Sequence, residues 1–574
     1  MWYQPHPYGV LPDGNRIAAG DPNRRSSVRI GKRVSDWRFG QYVDLLFQDF
    51  SESHREAMKE IHACTRRQTI MSKSMLIPVH SEILLLEEVL PFMDVPELCL
   101  LSRVSTAWYV VCHTPEVWKR LAISQVAGRT GKLACRPSER GDVPKSAMEN
   151  PLEFHRDWKT TAVRGWQGGR SQARAGSKRP RDEPCATARA SFVHQPMRVS
   201  APLHSDLLFH SWMCTVLPPS HGLQQHRDGT FHSKLRRVAR LSNPSIETFR
   251  EKFEEPNIPV VLSDVATQWP LFKTLDGDFE NVTRKSNEIF PGGVECCFRC
   301  ESVLMTISQY VHYAISQKDE RPLYLFDADY GEKMLAGPGR GLYVVPEYFG
   351  QDDYFSVLGK DRPNYRWLIV GPERGGSSFH VDPNYTSAWN ACLTGRKRWI
   401  LFPPSVTPPG VFPSNDMSNV ATPVSLTEWL LNYYDTAAST LCHVGYETIC
   451  EPGEIMFVPC GWWHFVINLE PSVAITQNYV SRCNLSKVLH FLKGMPKSIS
   501  GLPEDDSADE EQTLQAKKAF AKRFESAMCE AFPEVTKAAI QRIVELAAKN
   551  EENLAPATKL DLCLEGDAGF EFSL

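Results

Sequence analysis

Three residues of this chain have the types and spacing that could bind a divalent transition metal. His380 and Asp382 stand two residues apart, and residues two apart in a β-strand project to the same face. His464 is the candidate for a third ligand, because it follows a turn between two β-like runs. Two imidazoles and one carboxylate form a facial ligand set that leaves open positions for non-haem ferrous chemistry. An isolated H-x-D pair is common in proteins, so only the surrounding sequence can show whether these residues are metal ligands or ordinary surface or core residues.

Other residues with metal-binding side chains have weaker surroundings. Cys297 and Cys300 have a spacing seen in zinc sites, but no second pair stands nearby to complete a tetrahedron, so we do not expect zinc here. Four more histidines are interpreted as ordinary surface or core residues: His204, His210, His221 and His226.

The elements that must position the candidate ligands lie in a β-rich segment from residue 206 to about 494. Short β-branched and aromatic runs alternate with turns rich in glycine and proline, a pattern typical of a sandwich or a barrel. In a jelly roll, which is one such closure, an early and a late strand lie side by side, so His380 and His464 can meet. The predicted strands are 259–263, 323–326, 367–370, 398–402, 455–458 and 473–477.

A bundle of three short helices is predicted upstream, over residues 77–123. Its first helix ends near Pro91, and Asp94 with Glu97 predicts an N-cap and a capping box for the second. Thr114 followed by a proline predicts the start of the third helix. A bundle this small buries little surface, so we expect it to pack on a partner or on its own chain.

The remaining segments are polar or strongly charged. A helical hairpin broken at Pro533 is predicted over residues 512–550. A basic tail (1–75) is predicted to lack packed structure apart from a helix around residues 42–66. A basic disordered linker (125–200), an acidic hinge (503–511) and a C-terminal tail (551–574) are also predicted, with Trp158 and its neighbours able to pack against the next domain. Within the linker, the cluster 178–181 has three open interpretations: a nuclear import signal, a weak nucleic-acid contact or a solvated stretch.

Composition limits the classes of protein that this chain can be. Its 574 residues are 42% hydrophobic and 10% aromatic, enough for several folded domains. With 64 Lys and Arg against 68 Asp and Glu, the net charge of −4 excludes a uniformly basic nucleic-acid coat. No apolar run reaches the roughly 18 residues of a membrane helix, and no secretory signal is evident. The 16 cysteines are irregularly spaced, so we expect a reduced, intracellular protein, nuclear or otherwise cytoplasmic, without a membrane segment.

The sequence around the candidate ligands closely resembles the Jumonji-C family, over roughly residues 206–494. The similarity is to the branch that contains the phosphatidylserine-receptor-like lysyl hydroxylases and arginine demethylases. The stretches that carry the resemblance are 365–367, 380–391, 395–399, 452–454, 461–464 and 475–479.

The resemblance implies a double-stranded β-helix fold, with Fe(II), 2-oxoglutarate and O2. It implies metal ligands at His380, Asp382 and His464. Lys397 matches the cation that pairs with the distal carboxylate of 2-oxoglutarate, and strand alternation would turn its arginine neighbours away. Four more residues match co-substrate contacts: Tyr324, Ser377, Asn390 and Thr476. Ser377 stands where close relatives usually carry threonine, a change that keeps the hydroxyl.

Two features depart from the family pattern. Cys460 stands where relatives tend to have glycine or asparagine, and we interpret it as an inert buried thiol rather than an oxidation-sensitive one. The stretch 403–450 is long and rich in proline, so one wall of the substrate entrance is expected to differ.

The helical bundle resembles an F-box, with Ile77-Pro78 where the family usually opens with Leu-Pro. That resemblance implies docking onto a Skp-type adaptor of a cullin ubiquitin ligase. The alternative is an ordinary helical subdomain that packs on its own chain.

These observations predict a mixed fold: a small all-α F-box bundle, then a β-rich jelly roll (cupin-like) with C-terminal helices. The expected function is an Fe(II)- and 2-oxoglutarate-dependent oxygenase acting on protein side chains. It would hydroxylate lysyl residues or demethylate methylated arginine or lysine, on histones or RNA-associated proteins, and could be coupled to a ubiquitin ligase. The alternative is a non-catalytic F-box substrate receptor whose β domain only binds.

Overall fold

The centre of the molecule is a barrel of two facing antiparallel sheets. The computed structural model describes residues 30–31, 90, 93–103, 106–126, 151–175, 205–225, 231–336, 341–350, 353–414, 419–502 and 509–554. Its strands are β1 Ile30–Gly31, β2 Gln224–Gln225, β3 Phe231–His232, β4 Arg236–Arg237, β5 Ala239–Ser242, β6 Val260–Ser263, β7 Cys297–Cys300, β8 Val303–Thr306, β9 Leu325–Asp327, β10 Arg366–Gly371, β11 Gly376–His380, β12 Ser387–Thr394, β13 Lys397–Phe402, β14 Phe412–Pro413, β15 Val420–Pro423, β16 Tyr446–Cys450, β17 Ile455–Val458, β18 Trp463–Asn468 and β19 Ser472–Tyr479.

Eight of these strands form the jelly roll. One sheet contains the order β17-β12-β19-β10, and the facing sheet contains β11-β18-β13-β16. The early strand β11 pairs with the late strand β18, as the sequence predicts. Strands β12 and β19 are buried at every position, because one face lines the barrel and the other packs against helices.

All six predicted strands are confirmed. They correspond to β6, β9, β10, β13, β17 and β19. The clearest difference is at β9, which begins at Leu325 rather than at residue 323, so Tyr324 lies immediately before the strand.

Helices surround the barrel. They are α1 Val95–Leu101, α2 Thr106–Cys112, α3 Pro115–Val126, α4 Trp158–Ala175, α5 Asp206–Val216, α6 Ile246–Phe249, α7 Pro270–Leu275, α8 Asn281–Arg284, α9 Ser286–Ile289, α10 Ile307–Ser316, α11 Ala328–Ala336, α12 Glu347–Gly350, α13 Leu426–Asn432, α14 Tyr434–Thr440, α15 Leu485–Gly494, α16 Glu510–Ala531 and α17 Pro533–Leu554. A π-helical turn (Arg250–Glu254) and 3-10 turns (Gly293–Glu295, Tyr354–Asp361, Pro383–Tyr385, Pro496–Ser498) complete the description. Among the described residues, no helix combines the length and hydropathy needed to span a membrane.

The predicted capping box at the start of α1 is confirmed. The Asp94 carboxylate accepts from the Glu97 amide at 2.9 Å, and the Glu97 carboxylate accepts from the Asp94 amide at 2.8 Å. Helix α3 begins at Pro115 as predicted, and its Trp118 is buried. Helices α1 and α3 share one continuous hydrophobic core with α4, α10 and the helix-facing side of the larger barrel sheet. The bundle therefore packs on its own chain.

Residues 151–175 contradict the disordered linker predicted over 125–200. They include helix α4, in which Trp158 and Ala162 are buried, preceded by the buried Phe154. The Phe154 ring lies edge-on to both Trp158 and Tyr313, each with a centroid distance of 5.1 Å. Trp158 and Ala162 are four residues apart and so lie on one apolar face of the helix. The composition averaged over residues 125–200 is polar, and for this reason it did not indicate this apolar face.

The C-terminal helices α16 and α17 lie where a hairpin is predicted, and α17 begins at Pro533. Phe520, Phe524 and Met528 of α16 are buried. The predicted acidic hinge is wrong over residues 509–511, because Asp509 caps α16 through Gln512 and the next two glutamates occupy its first turn. Negative charge is favourable there, next to unpaired backbone amides.

Several predicted features lie outside the described residues. They are residues 1–75 apart from β1, the first predicted helix before residue 90, the cluster 178–181, residues 503–508 and the tail after residue 554.

Candidate metal centre

The three predicted ligands converge inside the barrel. One ligand atom from each of His380, Asp382 and His464 lies within 4.8 Å of the other two. The two histidines are directly opposite each other in the pairing of β11 with β18, and their ring centroids are 4.0 Å apart. A β-bulge between Ser377 and His380 changes the direction of the β11 side chains just before the first ligand. That these residues bind a metal stays a prediction.

Both imidazoles are held in the orientation that a metal ligand needs. The Nδ1 atom of His380 lies 2.7 Å from the Ser378 carbonyl, and that of His464 lies 3.0 Å from the Trp462 carbonyl. When a neutral imidazole donates its Nδ1 proton to a carbonyl, its Nε2 lone pair is presented to a metal. The Nε2 atom of His464 lies 3.9 Å from Asp382 Oδ2, so both groups point toward the same space.

Asp382 lies two residues past the end of β11, and not within the strand as predicted. Its backbone is still extended (φ −58°, ψ 146°), which keeps its side chain on the His380 side. The next turn is held by Asn384, whose side-chain amide donates to the Ser500 carbonyl and accepts from the Ser500 amide. Asn384 adopts a positive φ of 55°, so this turn depends on tertiary contacts.

A buried lysine stands on the strand next to the ligands. Lys397 begins β13 and is 1% exposed. Its Nζ donates to the Tyr324 hydroxyl and to Asn468 Oδ1, both at 2.9 Å, and lies 3.4 Å from the Ser472 hydroxyl. In the part of the chain that the structure describes, no carboxylate lies within ion-pair distance of it. An ammonium group buried among neutral acceptors is costly, so this pocket fits an anionic ligand.

The arginines beside Lys397 point away from the barrel interior, as strand alternation predicts. Arg398 is fully buried on the outer side, where its guanidinium pairs with Glu447 at 2.7 Å. Arg396 pairs with Glu470 at 2.6 Å and is partly exposed. Lys397 is therefore the cation of this strand that faces the candidate metal centre.

The other predicted co-substrate residues line the same interior. Tyr324 closes the lysine pocket, and Gly371 allows its close approach, since a Cβ atom there would lie 2.2 Å from the Tyr324 ring. Ser377 pairs with Val466 of the interior apolar cluster. Asn390 and Thr476 are direct cross-strand neighbours and so share one face.

Two polar groups on that shared face differ in how they are satisfied. The Thr476 hydroxyl donates to the Trp389 carbonyl at 2.8 Å, which leaves its oxygen able to accept. Asn390 Oδ1 is buried and has no hydrogen-bond partner among the described residues. A buried acceptor without a partner fits a cavity that takes a polar ligand.

Sequence reasoning missed three residues of the site. Asn468 and Ser472 contact Lys397, and Asn478 donates to Asp382 Oδ1 at 3.4 Å and to Thr386 at 2.8 Å. The signal in the sequence that could have indicated them is the presence of polar residues in otherwise apolar strands, since β18 and β19 are buried at every position. That signal marks a residue as important but does not name its partner.

The surroundings of Cys460 agree with its interpretation as an inert buried thiol. Cys460 is fully buried and donates to Asn257 Oδ1 at 3.3 Å. Burial raises the pKa of its thiol, which disfavours the reactive thiolate. Among the described residues, one group of metal-binding side chains is found, and it contains neither Cys297 nor Cys300.

The donor chemistry of the interior fits a ferrous ion with a dicarboxylate beside it. The ligand set is two imidazoles and one carboxylate, which is the facial set of non-haem iron sites. Lys397 pairs with Asn468 in the register, and His464 with Leu401, so the cation and the ligand stand four residues apart along the two strands. At the usual rise per residue, the backbone positions of Lys397 and His464 are therefore about 13 Å apart along the strand direction.

Comparisons with known proteins agree with this reading. The F-box-like family matches residues 82–124 and the cupin-like domain family matches residues 342–484. The Arginine-specific demethylase JMJ22 of Arabidopsis thaliana is 47% identical over 292 residues, which are 50% of this chain and 53% of that protein. The Bifunctional arginine demethylase and lysyl-hydroxylase psr-1 of Caenorhabditis elegans is 35% identical over 282 residues, 48% of this chain and 66% of the relative.

A more distant relative has a name that states its co-substrate and metal. The 2-oxoglutarate and iron-dependent oxygenase JMJD4 of Mus musculus is 29% identical over 268 residues, 43% of this chain and 61% of the relative. The chain spans about half the length of JMJ22, the first of these relatives. The chain therefore carries an F-box-like domain followed by a cupin-like domain, and over about half its length it is similar to proteins named as an arginine demethylase and as a combined arginine demethylase and lysyl hydroxylase.

Proposed function

We propose that this chain is an Fe(II)- and 2-oxoglutarate-dependent oxygenase that acts on protein side chains. The observation that carries the proposal is one interior with two matched features. A histidine–aspartate–histidine group converges there, and a buried lysine faces it without an acidic partner among the described residues. The name of the JMJD4 relative, a 2-oxoglutarate and iron-dependent oxygenase, supports the same cofactor and co-substrate.

Each residue of the candidate site has a definite role in this proposal. His380 and His464 would supply neutral Nε2 donors, and Asp382 would add the negative charge that favours a divalent cation. Lys397 would neutralise the distal carboxylate of 2-oxoglutarate and fix its direction through a charge-assisted hydrogen bond. When bound, the iron and 2-oxoglutarate supply with O2 the oxidising power for C–H hydroxylation, which amino-acid side chains lack.

The barrel lining would keep water away from this chemistry. Trp399, Leu401 and Val466 belong to a buried apolar cluster inside the barrel, and the Trp399 ring lies 6.1 Å from the His464 ring. A water-poor lining strengthens the electrostatic contacts of Lys397 and Asp382.

The product of the reaction would depend on which carbon of the substrate the protein places next to the metal site. Hydroxylation of a lysyl side-chain carbon leaves a stable alcohol. Hydroxylation of an N-methyl carbon gives an unstable hemiaminal, whose C–N bond breaks to leave N–H and release formaldehyde. We propose lysyl and N-methylated arginyl or lysyl side chains as the substrate class, on proteins such as histones or RNA-associated proteins. The names of JMJ22 and psr-1 support this choice.

The test is turnover together with product mass. Purified chain with Fe(II), 2-oxoglutarate and a library of lysyl and methylarginyl peptides should release succinate and shift peptide masses by the gain of an oxygen or the loss of a methylene. The His380→Ala variant should do neither. Equal succinate release by both proteins would contradict the catalytic assignment and favour the non-catalytic receptor.

A second function, binding to a Skp-type adaptor of a ubiquitin ligase, is supported by the F-box-like match. Leu100 on α1 is 64% exposed, so it can contact a partner without being part of the core. Leu100→Glu should abolish co-purification with a Skp-type adaptor, whereas Ile315→Glu, at an exposed site on α10, should not. Unchanged co-purification of the Leu100 variant would argue against an adaptor surface on α1. Nuclear location and import through the cluster 178–181 remain proposals.

A further inference from the structure

We propose that Lys119, on the F-box-like helix α3, is a positioning residue for the co-substrate pocket of the barrel. This inference rests on the proposed function, because it assigns Lys119 a part in 2-oxoglutarate binding. Lys119 lies within the F-box-like match. Its side chain is only 5% exposed, which is unusual for a lysine. A lysine is rarely buried unless it is paired, so its partners show what the burial achieves.

The partners of Lys119 belong to the barrel domain. Its Nζ donates to the Arg321 carbonyl at 2.6 Å and lies 3.3 Å from Asp319 Oδ2. Asp319 is itself buried and accepts from the Trp158 indole at 2.9 Å and from the Tyr313 hydroxyl at 2.7 Å. Three parts of the chain therefore meet at one carboxylate: the F-box-like bundle, helix α4 and helix α10.

The segment that Lys119 holds leads directly to the lysine pocket. Residues 317–324 connect α10 to β9 and end at Tyr324, whose hydroxyl accepts from Lys397. The far half of this segment is fixed at Leu323, whose amide donates to Tyr313 and whose carbonyl accepts from Tyr310. Tyr313 thus bonds both to Asp319 and to the backbone next to Tyr324.

A second connection runs from Asp319 to the loop between β10 and β11. Arg374 donates from Nη1 to the Asp319 carbonyl at 3.0 Å, and its own amide donates to the Asn468 carbonyl at 2.9 Å. Asn468 is an acceptor of the Lys397 ammonium. The position of Asp319 is thereby transmitted to Tyr324 and to Asn468, which both contact Lys397. By contrast, no contact of Lys119 or Asp319 reaches the described metal ligands directly.

This geometry predicts that a change at Lys119 affects binding of the dicarboxylate but not binding of the metal. Loss of the Lys119 ammonium should loosen residues 317–324, and so weaken binding of the dicarboxylate, while the histidine–aspartate–histidine group keeps its affinity for metal. A residue with only a general structural role would weaken both together. The measurement is calorimetric titration of the full chain, first with Mn(II) alone and then with N-oxalylglycine in the presence of Mn(II).

The principal variant is Lys119→Met, which keeps the apolar stem and removes the charge. We expect its Kd for N-oxalylglycine to rise about tenfold, because Tyr324 and Asn468 would hold Lys397 less firmly, with the Kd for Mn(II) within about twofold of wild type. In turnover assays the KM for 2-oxoglutarate should rise while kcat changes little. Arg120→Met is the matched control, because Arg120 neighbours Lys119 on α3 but its side chain is exposed, and it lies 3.8 Å from Glu116 of its own helix. It should change neither Kd.

A second variant keeps the test decisive if an unpaired Asp319 prevents folding. Lys119→Met combined with Asp319→Asn removes both charges, so that no single charge is left buried. It should show the same selective loss of N-oxalylglycine affinity. The inference is wrong if the folded variants bind N-oxalylglycine within about twofold of wild type, or if Mn(II) affinity falls equally. Failure of the wild-type chain to bind N-oxalylglycine would instead contradict the proposed function.

Discussion

At the residue scale, Lys397 is the side chain whose surroundings are most unusual. It is buried among neutral acceptors, with no carboxylate at ion-pair distance in the described part of the chain. Lys397→Met should raise the KM for 2-oxoglutarate by about 10- to 100-fold, the value of a hydrogen bond to a charged group. The same variant should melt at an equal or higher temperature without ligand, because a buried charge has been removed.

The control for Lys397 is Arg396→Met, at the residue immediately before the same strand. Arg396 faces outward and pairs with Glu470, so its loss should leave the KM unchanged. A similar rise in KM for both variants would show that charge near the barrel mouth, rather than the Lys397 pocket, governs co-substrate binding.

Asn478 orients the carboxylate of the proposed metal site. Its amide donates to Asp382 Oδ1 and to Thr386. Partners behind metal ligands typically contribute 10- to 100-fold in metal affinity, so Asn478→Ala should weaken Mn(II) binding by about that factor. Titration with Mn(II) checks this, and a melting curve near that of wild type shows that the fold is retained. An unchanged Mn(II) affinity would mean that Asp382 needs no such support.

Sequence reasoning reached the side chains that carry a distinctive motif and missed those that only support them. His380 and Asp382 are two residues apart, and their predicted shared direction is found although Asp382 lies past the strand end, because its backbone is still extended. Asn468 and Asn478 have no local pattern, and their partners are set by which strands become neighbours. Sheet order is a long-range property, and the sequence of one strand does not contain it.

At the element scale, the turn before β18 has a strict backbone requirement. Gly461 has φ +76°, and a Cβ atom there would lie 2.4 Å from the Tyr385 hydroxyl. Gly461→Ala should therefore destabilise the protein by about 1–3 kcal/mol from backbone strain alone and should also lower Mn(II) affinity, because His464 follows three residues later. Thermal denaturation and Mn(II) titration measure the two effects.

Gly494→Ala is the matched control for this turn. Gly494 ends helix α15, and a Cβ atom there would meet no other atom within 4 Å. Its melting temperature should equal or exceed that of wild type, since alanine is favoured over glycine in a helix. If the Gly461 variant melted like the Gly494 variant, the turn would not be strained as described.

Element prediction succeeded where periodicity is local and failed where it was averaged away. The strand at 455–458 was recognised with its exact bounds from an apolar run between turn residues. Packing of Trp158 on the next domain is foreseen from the sequence, but helix α4 itself is not, because it lies in a stretch whose overall composition is basic and rich in glycine. The acidic run before α16 was read as a hinge, although Asp509 with Gln512 forms a capping box.

At the scale of the whole molecule, the F-box-like helices and the barrel share one core. Leu98 and Trp118 belong to the same buried cluster as Trp389 and Ile475 of the barrel strands. Elements that share a core unfold together, so calorimetry should show α1–α3 and the barrel melting in a single transition. Limited proteolysis during heating provides the check. Cleavage within residues 93–126 well below the barrel's transition would show that the bundle is an independent domain.

The central claim is that His380, Asp382 and His464 hold a ferrous ion beside a dicarboxylate anchored by Lys397. The most direct measurement is an anaerobic titration of the full chain with Fe(II) and 2-oxoglutarate, followed by visible absorption. We predict the charge-transfer band that appears when a 2-oxo acid chelates protein-bound iron, only when both are present, with His380→Ala giving no band and Lys397→Met requiring more 2-oxoglutarate. A wild-type chain that gives no band, or one that persists in His380→Ala, would contradict the account.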